Sequence, residues 1–141
     1  MSVPSLVGMS SYLADFESDH HRLLVGVLCR VGDAPNETVG LLDTASEWCV
    51  LPARLAPALG IALQADPSVR PLSTRLGLIY GRMERLPLTF LAADGCDVAI
   101  EATFFVSADW FGPLVVGWKG CLERMRFMID PEAEQFHFAG L

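Results

Sequence analysis

The amino-acid sequence predicts a mainly β protein with one or two short helices, built as a single domain. Apolar segments flank the polar turn at residues 32–36, alternating segments flank residues 92–95, and a third pair flanks residues 130–132. Apolar–polar alternation and short apolar segments bounded by turn-forming residues are typical of strands. With 141 residues, 52% of them hydrophobic, the chain is long enough for one hydrophobic core.

Composition argues against several classes of partner. The net charge of −7 is unfavourable for nucleic acid or an anionic membrane as the main ligand. The sequence has no segment of about 18 apolar residues. Its beginning also lacks the basic and then apolar regions of an export signal. We therefore predict a cytoplasmic protein that binds neither nucleic acid nor membrane.

Four cysteines are widely spaced in the chain, at Cys29, Cys49, Cys96 and Cys121. None belongs to a Cys-x-x-Cys pair and no His-x-x-x-His motif accompanies them, which argues against a zinc site. Cys29 and Cys49 lie in apolar segments and are predicted to be small core residues. We predict no metal and no cofactor, and without an export signal we expect no disulfide framework.

Residues 1–21 show no sustained apolar period and are predicted to form an N-terminal arm before a domain at residues 22–141. His20 and His21 are adjacent. Because adjacent residues of an extended segment point to opposite sides, they make a poor chelating pair. Two exposed histidines are the better interpretation.

The first predicted hairpin ends at a single carboxylate. Its strands are Arg22–Val31 and Thr38–Leu42, joined by a turn that contains Gly, Asp, Pro and Asn. Asp43 follows directly, where the second strand leaves the core. A carboxylate there is costly to bury unless it is hydrogen-bonded or shares a proton. Residues 44–46 (Thr-Ala-Ser) are small enough for a tight turn, and two of them carry hydroxyl donors.

A short helix and a second hairpin follow. Trp48–Leu51 is apolar, and Pro52–Gly60 has a proline near its start and a glycine at its end, as is typical of a short helix. Arg70–Leu72 and Ile79–Arg85 are predicted strands around a polar, glycine-containing tip at residues 73–77. From composition alone, this tip fits either an ordinary hairpin or a mobile cover above a site.

Two long strands and a closing hairpin complete the chain. Leu86–Phe90 and Val98–Val106 alternate between apolar and polar residues, and Asp94-Gly95 between them is a hairpin signal. The remaining predicted elements are, in order, the apolar segment Leu114–Gly117, a short helix at Trp118–Met125, and a hairpin of Arg126–Ile129 and Gln135–Phe138.

The strand end that carries Asp43 resembles a known signature. Aspartic peptidases have hydrophobic-hydrophobic-Asp-Thr-Gly-Ala/Ser, and this chain has Leu41-Leu42-Asp43-Thr44-Ala45-Ser46. It is most similar to the single-domain, retroviral-type (retropepsin-like) branch found in bacteria, with Ala45 in place of the family's glycine. Val115-Val116-Gly117 is similar to the family's hydrophobic-hydrophobic-Gly element, and Gly120–Phe127 to the Gly-x-Leu-x-Arg-x-x-Phe run of bacterial members. The resemblance covers residues 22–138 in outline.

The resemblance implies a closed or sandwich-like β-barrel of the retropepsin type, with Asp43 as the catalytic residue. It also implies a flap, a hairpin that closes over substrate, and a ψ-loop, a strand that threads past the aspartate loop and needs a residue without a side chain. The residues concerned are Thr44, Ala45 and Ser46 as support of the aspartate loop, Ser73, Thr74, Arg75, Leu76 and Gly77 as the substrate-binding flap tip, and Val115, Val116 and Gly117 as the ψ-loop.

An aspartic peptidase needs two carboxylates that share one proton, because two such groups in contact cannot both ionise. This chain has one matching motif, so the resemblance implies a homodimer in which Asp43 and its symmetry mate activate a water. Thr44 would reach across to the partner loop, and Met1–Tyr12 and Phe136–Leu141 would form interface strands. The implied reaction is hydrolysis of peptide bonds in a peptide or protein substrate.

Two local features leave the activity open. Ala45 is a small change if its φ is negative and a costly one if the loop needs a positive φ. Glu47 would add negative charge near the pair, although a solvated surface acid is the plainer interpretation. The alternative function is an inactive module of the same fold for peptide binding or dimerisation, in which a strand edge captures a peptide.

Overall fold

The computed structural model describes residues 6–14, 25–63, 70–74 and 77–141. They form strands and three single-turn 3-10 helices, so the predicted mainly β fold is confirmed. No helix among them is long and apolar enough to cross a membrane. The strands are β1 (Gly8–Ser11), β2 (Leu13–Ala14), β3 (Val25–Val31), β4 (Thr38–Leu42), β5 (Cys49–Leu51), β6 (Arg70–Thr74), β7 (Gly77–Phe90), β8 (Asp94–Gly95), β9 (Val98–Val106), β10 (Leu114–Val116), β11 (Met125–Asp130) and β12 (Gln135–Gly140); the 3-10 helices are Ala53–Leu55, Pro57–Leu59 and Leu122–Arg124.

Six of the strands close into a barrel. Their order around it is β3-β4-β10-β5-β9-β7, and β7 pairs back onto β3 with Phe90 opposite Cys29 and Leu88 opposite Val31. Strands β2 and β6 extend the sheet beyond the barrel. Closure removes the exposed edges of an open sheet and turns alternate residues of each strand inward.

A second, four-stranded sheet packs against the barrel. Its order is β11-β12-β1-β8. Phe136 and Phe138 of β12 are fully buried, and their ring centroids lie 6.0 and 5.9 Å from that of Phe90 in the barrel. Burial of such large apolar side chains is the main favourable term in folding, and it joins the two sheets into one core.

Part of the segment predicted as an N-terminal arm belongs to these sheets. Gly8–Ser11 lies between β12 and β8, and Leu13–Ala14 pairs with β3. Tyr12, between them, is buried in the main core. These residues are therefore part of the domain rather than a separate arm. The rest of the predicted arm, residues 1–5 and 15–21, lies outside the described residues.

The predicted strand pairs are confirmed, but the turn predicted at Asp94-Gly95 is wrong. β3 pairs with β4, β7 with β9 and β11 with β12, all antiparallel. Asp94-Gly95 instead forms β8, which pairs with β1. The flanking residues bond to the same segment, since the Ala93 N–H donates to the Met9 carbonyl and the Cys96 N–H to the Val7 carbonyl, each at 2.9 Å. A partner distant in sequence thus overrides the local turn signal.

Both predicted helices are shorter than expected. Pro52–Gly60 contains two successive 3-10 turns, because Pro57 has no amide hydrogen with which to continue the first. Within Trp118–Met125 only Leu122–Arg124 is 3-10, because Gly120 before it has a φ of 71°, outside the helical region.

Candidate functional site

The candidate site is the loop that follows β4, and β10 determines its shape. β10 lies between β4 and β5, which are consecutive in the chain; it runs parallel to β4, with Val116 opposite Leu42, and antiparallel to β5. Asp43 comes directly after Leu42, and its N–H donates to the Val116 carbonyl at 3.0 Å. The aspartate loop, residues 43–48, must therefore pass around an inserted strand.

The carboxylate of Asp43 is held by its own loop. The Ala45 N–H donates to Asp43 Oδ1 at 3.0 Å, and the Ser46 N–H donates to the Asp43 carbonyl at 3.1 Å. Ser46 Oγ in turn donates to the Trp48 carbonyl at 2.7 Å. Asp43 is half-buried, whereas Thr44 and Ala45 are exposed. A carboxylate that accepts a hydrogen bond from the backbone N–H two residues later, as in an Asx turn, has a fixed orientation.

The predicted ψ-loop segment, Val115–Gly117, lies beside this loop. The Trp118 N–H donates to the Ser46 carbonyl at 2.8 Å. Gly117 has no room for a side chain, because a Cβ there would overlap the Trp48 carbonyl. The two backbones approach so closely that only glycine fits, and both sides of the aspartate loop are fixed by backbone hydrogen bonds.

Two features that the sequence leaves open are defined by the geometry. Glu134 is the one non-glycine residue with a positive φ among the described residues, so Ala45 has a negative φ and its methyl group causes no backbone strain. Glu47 is exposed, with its Oε1 3.7 Å from Lys119 Nζ, which lies 5.0 Å from the centre of the Trp48 ring. Glu47 therefore has a cation beside it, although an exposed pair of this kind contributes little to stability.

The predicted flap is the hairpin of β6 and β7. Ser73 and Thr74 end β6, and Thr74 pairs with Gly77 at the start of β7. Thr74 Oγ1 donates to the Gly77 carbonyl at 2.7 Å, and Gly77 has a φ of 120°, which favours glycine. Arg75 and Leu76, the other two predicted flap residues, lie outside the described residues.

The inner face of this hairpin packs onto the barrel wall near the aspartate loop. Leu72 of β6 and Ile79 of β7 contact Val50, Phe105 and Val115. We call the buried residues among these, Val50, Ile79, Phe105 and Val115, the second cluster. Because Val115 belongs to β10, the strand that supports this hairpin also accepts the hydrogen bond from Asp43. Two tryptophans pack against the edge of the cluster, Trp48 and Trp110.

A polar group of residues that the sequence did not reveal anchors the base of the hairpin. Ser107 Oγ donates to the Tyr80 carbonyl at 2.7 Å, and the Tyr80 N–H donates to Asp109 Oδ2 at 3.3 Å. The Asp109 N–H donates to Ser107 Oγ at 3.0 Å. Ser-x-Asp after a strand is a sequence cue for a turn that bonds its own backbone. The partner on β7, however, is 27 residues distant from Ser107 and has no local signal.

Other loop aspartates bond within their own turns. Asp97 Oδ1 accepts from the Ala92 N–H at 2.8 Å, and Asp130 Oδ1 accepts from the Glu132 N–H at 3.0 Å. No group of three His, Cys, Asp or Glu among the described residues could hold a metal ion. Asp43 differs from these aspartates in that its N–H also donates to the Val116 carbonyl of the inserted strand.

A cavity of about 210 Å³ lies at the other end of the β3–β4 hairpin, where its lining includes Val31, Asn36 and Arg54. The length of β4, Thr38–Leu42, separates this cavity from Asp43, which is roughly 16 Å of extended chain. The cavity is therefore not part of the aspartate loop.

Three of the cysteines are buried, and one of them, Cys49, follows the aspartate loop directly. Cys29, Cys49 and Cys121 are fully buried, which confirms the prediction of core residues for the first two. Cys49 Sγ accepts from the Gly117 N–H at 3.3 Å. Burial raises the pKa of Cys29 from 9.0 to about 12. A hydrogen bond to Cys49, together with burial, raises the pKa of Cys121. The Cys29 and Cys121 thiols are therefore held neutral and act as packing residues.

No protein-family model matches the chain, and comparison with curated proteins gives no significant match. The class of the protein is defined by its fold and site alone. It is a mainly β protein with a closed six-stranded barrel and an aspartate loop built around an inserted strand.

Proposed function

We propose that this protein is a homodimeric, retropepsin-like aspartic endopeptidase. The observation that carries the proposal is the setting of Asp43 directly after β4. Its N–H donates to the Val116 carbonyl of the inserted strand, and its carboxylate accepts from the Ala45 N–H. This setting orients one acid at the end of a strand, in a loop held on both sides. A preorganised acid is what general acid–base catalysis requires.

One aspartate loop supplies half of a catalytic pair. A second copy related by a two-fold axis would bring its own Asp43 to the first, and two-fold dimers are the commonest oligomers. Thr44 and Ala45 are exposed, so the loop of a partner can approach them without displacing packed side chains. The dimer would complete a site that one chain lacks.

The proposed reaction follows from two carboxylates that share one proton. The ionised carboxylate takes a proton from a water held between the two, and the protonated one donates its proton to the scissile carbonyl oxygen. The water oxygen bonds to the carbonyl carbon to give a tetrahedral intermediate. The newly protonated carboxyl then passes its proton to the nitrogen as the C–N bond breaks, and a hydroxyl of the intermediate returns a proton to the other carboxylate. The products are a carboxylic acid and an amine, with both carboxyl groups restored.

The hairpin of β6 and β7 would cover the bound peptide. Its base is anchored through Ser107 and Asp109, and its inner face rests on the second cluster. Closure over the substrate would exclude all water except the attacking molecule. Trp48 and Trp110 at the edge of the cluster favour a substrate with apolar side chains in an extended conformation.

The experiment is cleavage of a peptide library by the wild type and by Asp43→Asn, whose amide is nearly isosteric with the carboxylate. We expect hydrolysis by the wild type with a bell-shaped pH profile centred below neutrality, and loss of turnover in Asp43→Asn with unchanged circular dichroism. Glu47→Gln is the matched control, because it removes an exposed charge from the same loop and should leave turnover within about twofold. Full activity of Asp43→Asn would exclude this residue as the acid.

One observation favours a second candidate function, an inactive module of the same fold that binds a peptide. The segments expected at the dimer interface, Met1–Tyr12 and Phe136–Leu141, contribute β1 and β12, and both are interior strands of the four-stranded sheet. Their paired positions already bond within one chain, so a partner strand cannot add there. Sedimentation decides between the two candidates, since a strict monomer without hydrolysis would favour the binding module.

A further inference from the structure

The four-stranded sheet has an outer face whose residues differ in kind from those of its inner face. Along β12, the fully buried Phe136 and Phe138 point into the core, so His137 between them points outward. Directly opposite residues of an antiparallel sheet share a face, which places Met9 of β1 and Met128 of β11 on the outer face as well. His137 therefore has a methionine opposite it on each of the two neighbouring strands.

The strand register makes these three residues a continuous row. Met9 is the partner of His137 across β1–β12, and Met128 is the partner of His137 across β11–β12. Opposite residues in antiparallel strands have Cβ atoms about 4.5–5.5 Å apart. Methionine has three rotatable bonds beyond Cα, so the side chains of both methionines have the freedom to bring their sulfur atoms toward the imidazole.

The imidazole has a polar neighbour on its own strand. His137 Nε2 lies 3.2 Å from Gln135 Oε1, an oxygen that only accepts hydrogen bonds. The two atoms form a hydrogen bond in the tautomer whose Nε2 carries the ring hydrogen, and Nδ1 then keeps its lone pair. A histidine that ligates a metal characteristically donates its other ring N–H to an oxygen in this way, which fixes the tautomer and the ring orientation.

We propose that Met9, His137 and Met128 form a binding site for a soft monovalent cation, Cu(I) or Ag(I). Two thioethers and one imidazole are soft to borderline ligands, which select Cu(I) over the hard cations that carboxylates prefer. Asp94, opposite Met9 at the end of the row, adds an acidic residue at the same edge. The site lies on a different sheet from Asp43 and is independent of the proposed peptidase function.

The row is accessible from solvent as it stands. Met128 is 46% exposed, and Met9 and His137 are half-buried. A cation can therefore reach the two sulfur atoms without unfolding of the sheet. The ligands lie on regular strands whose spacing is fixed by backbone pairing, so the cation would find a site that is largely formed in advance.

The first experiment titrates Ag(I) into the full-length chain labelled with 13C at the methionine methyl groups. Cys96→Ser serves as the background, because Cys96 is an exposed thiol and would compete for a soft cation. We expect the methyl signals of Met9 and Met128 to shift together and to saturate at about one equivalent. Met83 is 39% exposed on β7, where that strand pairs with β9, and is the matched control whose signal should stay in place. Shifts of equal size at Met83, or none at Met9 and Met128, would overturn the proposal.

The second experiment measures Cu(I) affinity in the same background by anaerobic competition with bicinchoninate. Met9→Leu, Met128→Leu and His137→Gln should each weaken binding by about tenfold or more, whereas Met83→Leu should not. Leucine conserves the volume of methionine, so the fold is retained, as circular dichroism will verify. Binding that survives all three substitutions would assign the cation to the buried thiols and contradict the site.

Discussion

The main core and the second cluster use the same strands but are closed by different means. β9 contributes Phe104 to the core and Phe105 to the second cluster, and β10 contributes Val116 and Val115 in the same way. Phe104 and Val116 are fully buried, whereas Ile79 and Val115 remain 8% and 7% exposed. The closed barrel and the four-stranded sheet together enclose the main core, whereas one hairpin covers the second cluster.

This difference separates the part of the molecule that holds the fold from the part that can open. Lifting the β6–β7 hairpin would break the contacts of Leu72 and Ile79 and the hydrogen bonds of Tyr80, but it would leave the barrel intact. Regions with few buried contacts open at a lower free energy than the core. We therefore expect stability to depend on the core and substrate access to depend on the second cluster.

The largest loss of stability is expected in the core. Phe136 lies against the rings of Phe90, Phe127 and Phe138. Phe136→Ala should leave a cavity and lower the free energy of unfolding by about 3–5 kcal/mol. Urea unfolding measures this change, and a loss below about 1 kcal/mol would mean that the four-stranded sheet is not part of the core.

A smaller loss is expected in the second cluster. Ile79→Ala should lower the free energy of unfolding by about 2 kcal/mol, the low end for such a truncation, because the site is covered by a hairpin that can collapse onto it. Leu88→Ala is the matched control on the same strand, since Leu88 is fully buried in the core and should cost more. Hydrogen exchange should quicken in β6 for Ile79→Ala and stay unchanged in β3. Equal losses for the two substitutions would erase the distinction between the clusters.

The dependence of stability on alkaline pH tests whether the Cys29 thiol is shielded from water. The folded pKa of Cys29, about 12, lies above its ordinary value of 9.0, because burial disfavours the thiolate. Above pH 9 the unfolded chain loses this proton while the folded chain keeps it. The contribution of Cys29 to the free energy of unfolding should therefore be fully present below pH 9. It should fall by about 1.4 kcal/mol per pH unit toward pH 12. The slope between these pH values should be smaller in Cys29→Ala, and an identical slope would mean that Cys29 is solvated.

The smallest effect is expected in the aspartate loop. Because Ala45 already has a negative φ, Ala45→Gly gains no conformational relief and adds entropy to the unfolded chain. We expect a loss of a few tenths to about 1 kcal/mol in stability and no gain in hydrolysis. Thermal unfolding measures the stability and peptide cleavage measures the rate, and faster hydrolysis by Ala45→Gly would show that the methyl group obstructs the proposed site.

The local part of the fold could be predicted from sequence, including the position of Asp43 directly after a strand. Thr38–Leu42 has the bounds expected from its apolar run, and Asp43 lies where that strand ends, because strand periodicity and turn residues act over a few positions. Gly117 was expected to lack room for a side chain, and it lies against the Trp48 carbonyl.

What could not be predicted depends on partners distant in sequence. The residues Asp94-Gly95 have the composition of a turn, yet they pair with β1, and β1 pairs with β12 of the same chain. The row of Met9, His137 and Met128 has no sequence signature for the same reason. Three strands must first be brought into register before those side chains become neighbours.

The central claim, a catalytic pair formed by Asp43 of two copies, is tested most directly by mixed dimers. Wild type and Asp43→Asn are refolded together in a ratio of one to nine, and peptide hydrolysis is measured per wild-type chain. About one dimer in a hundred then carries both aspartates, so activity per wild-type chain should fall about tenfold. The same excess of Glu47→Gln should cause no loss. Activity that stays constant in excess Asp43→Asn would show that one aspartate is enough and would contradict the shared pair.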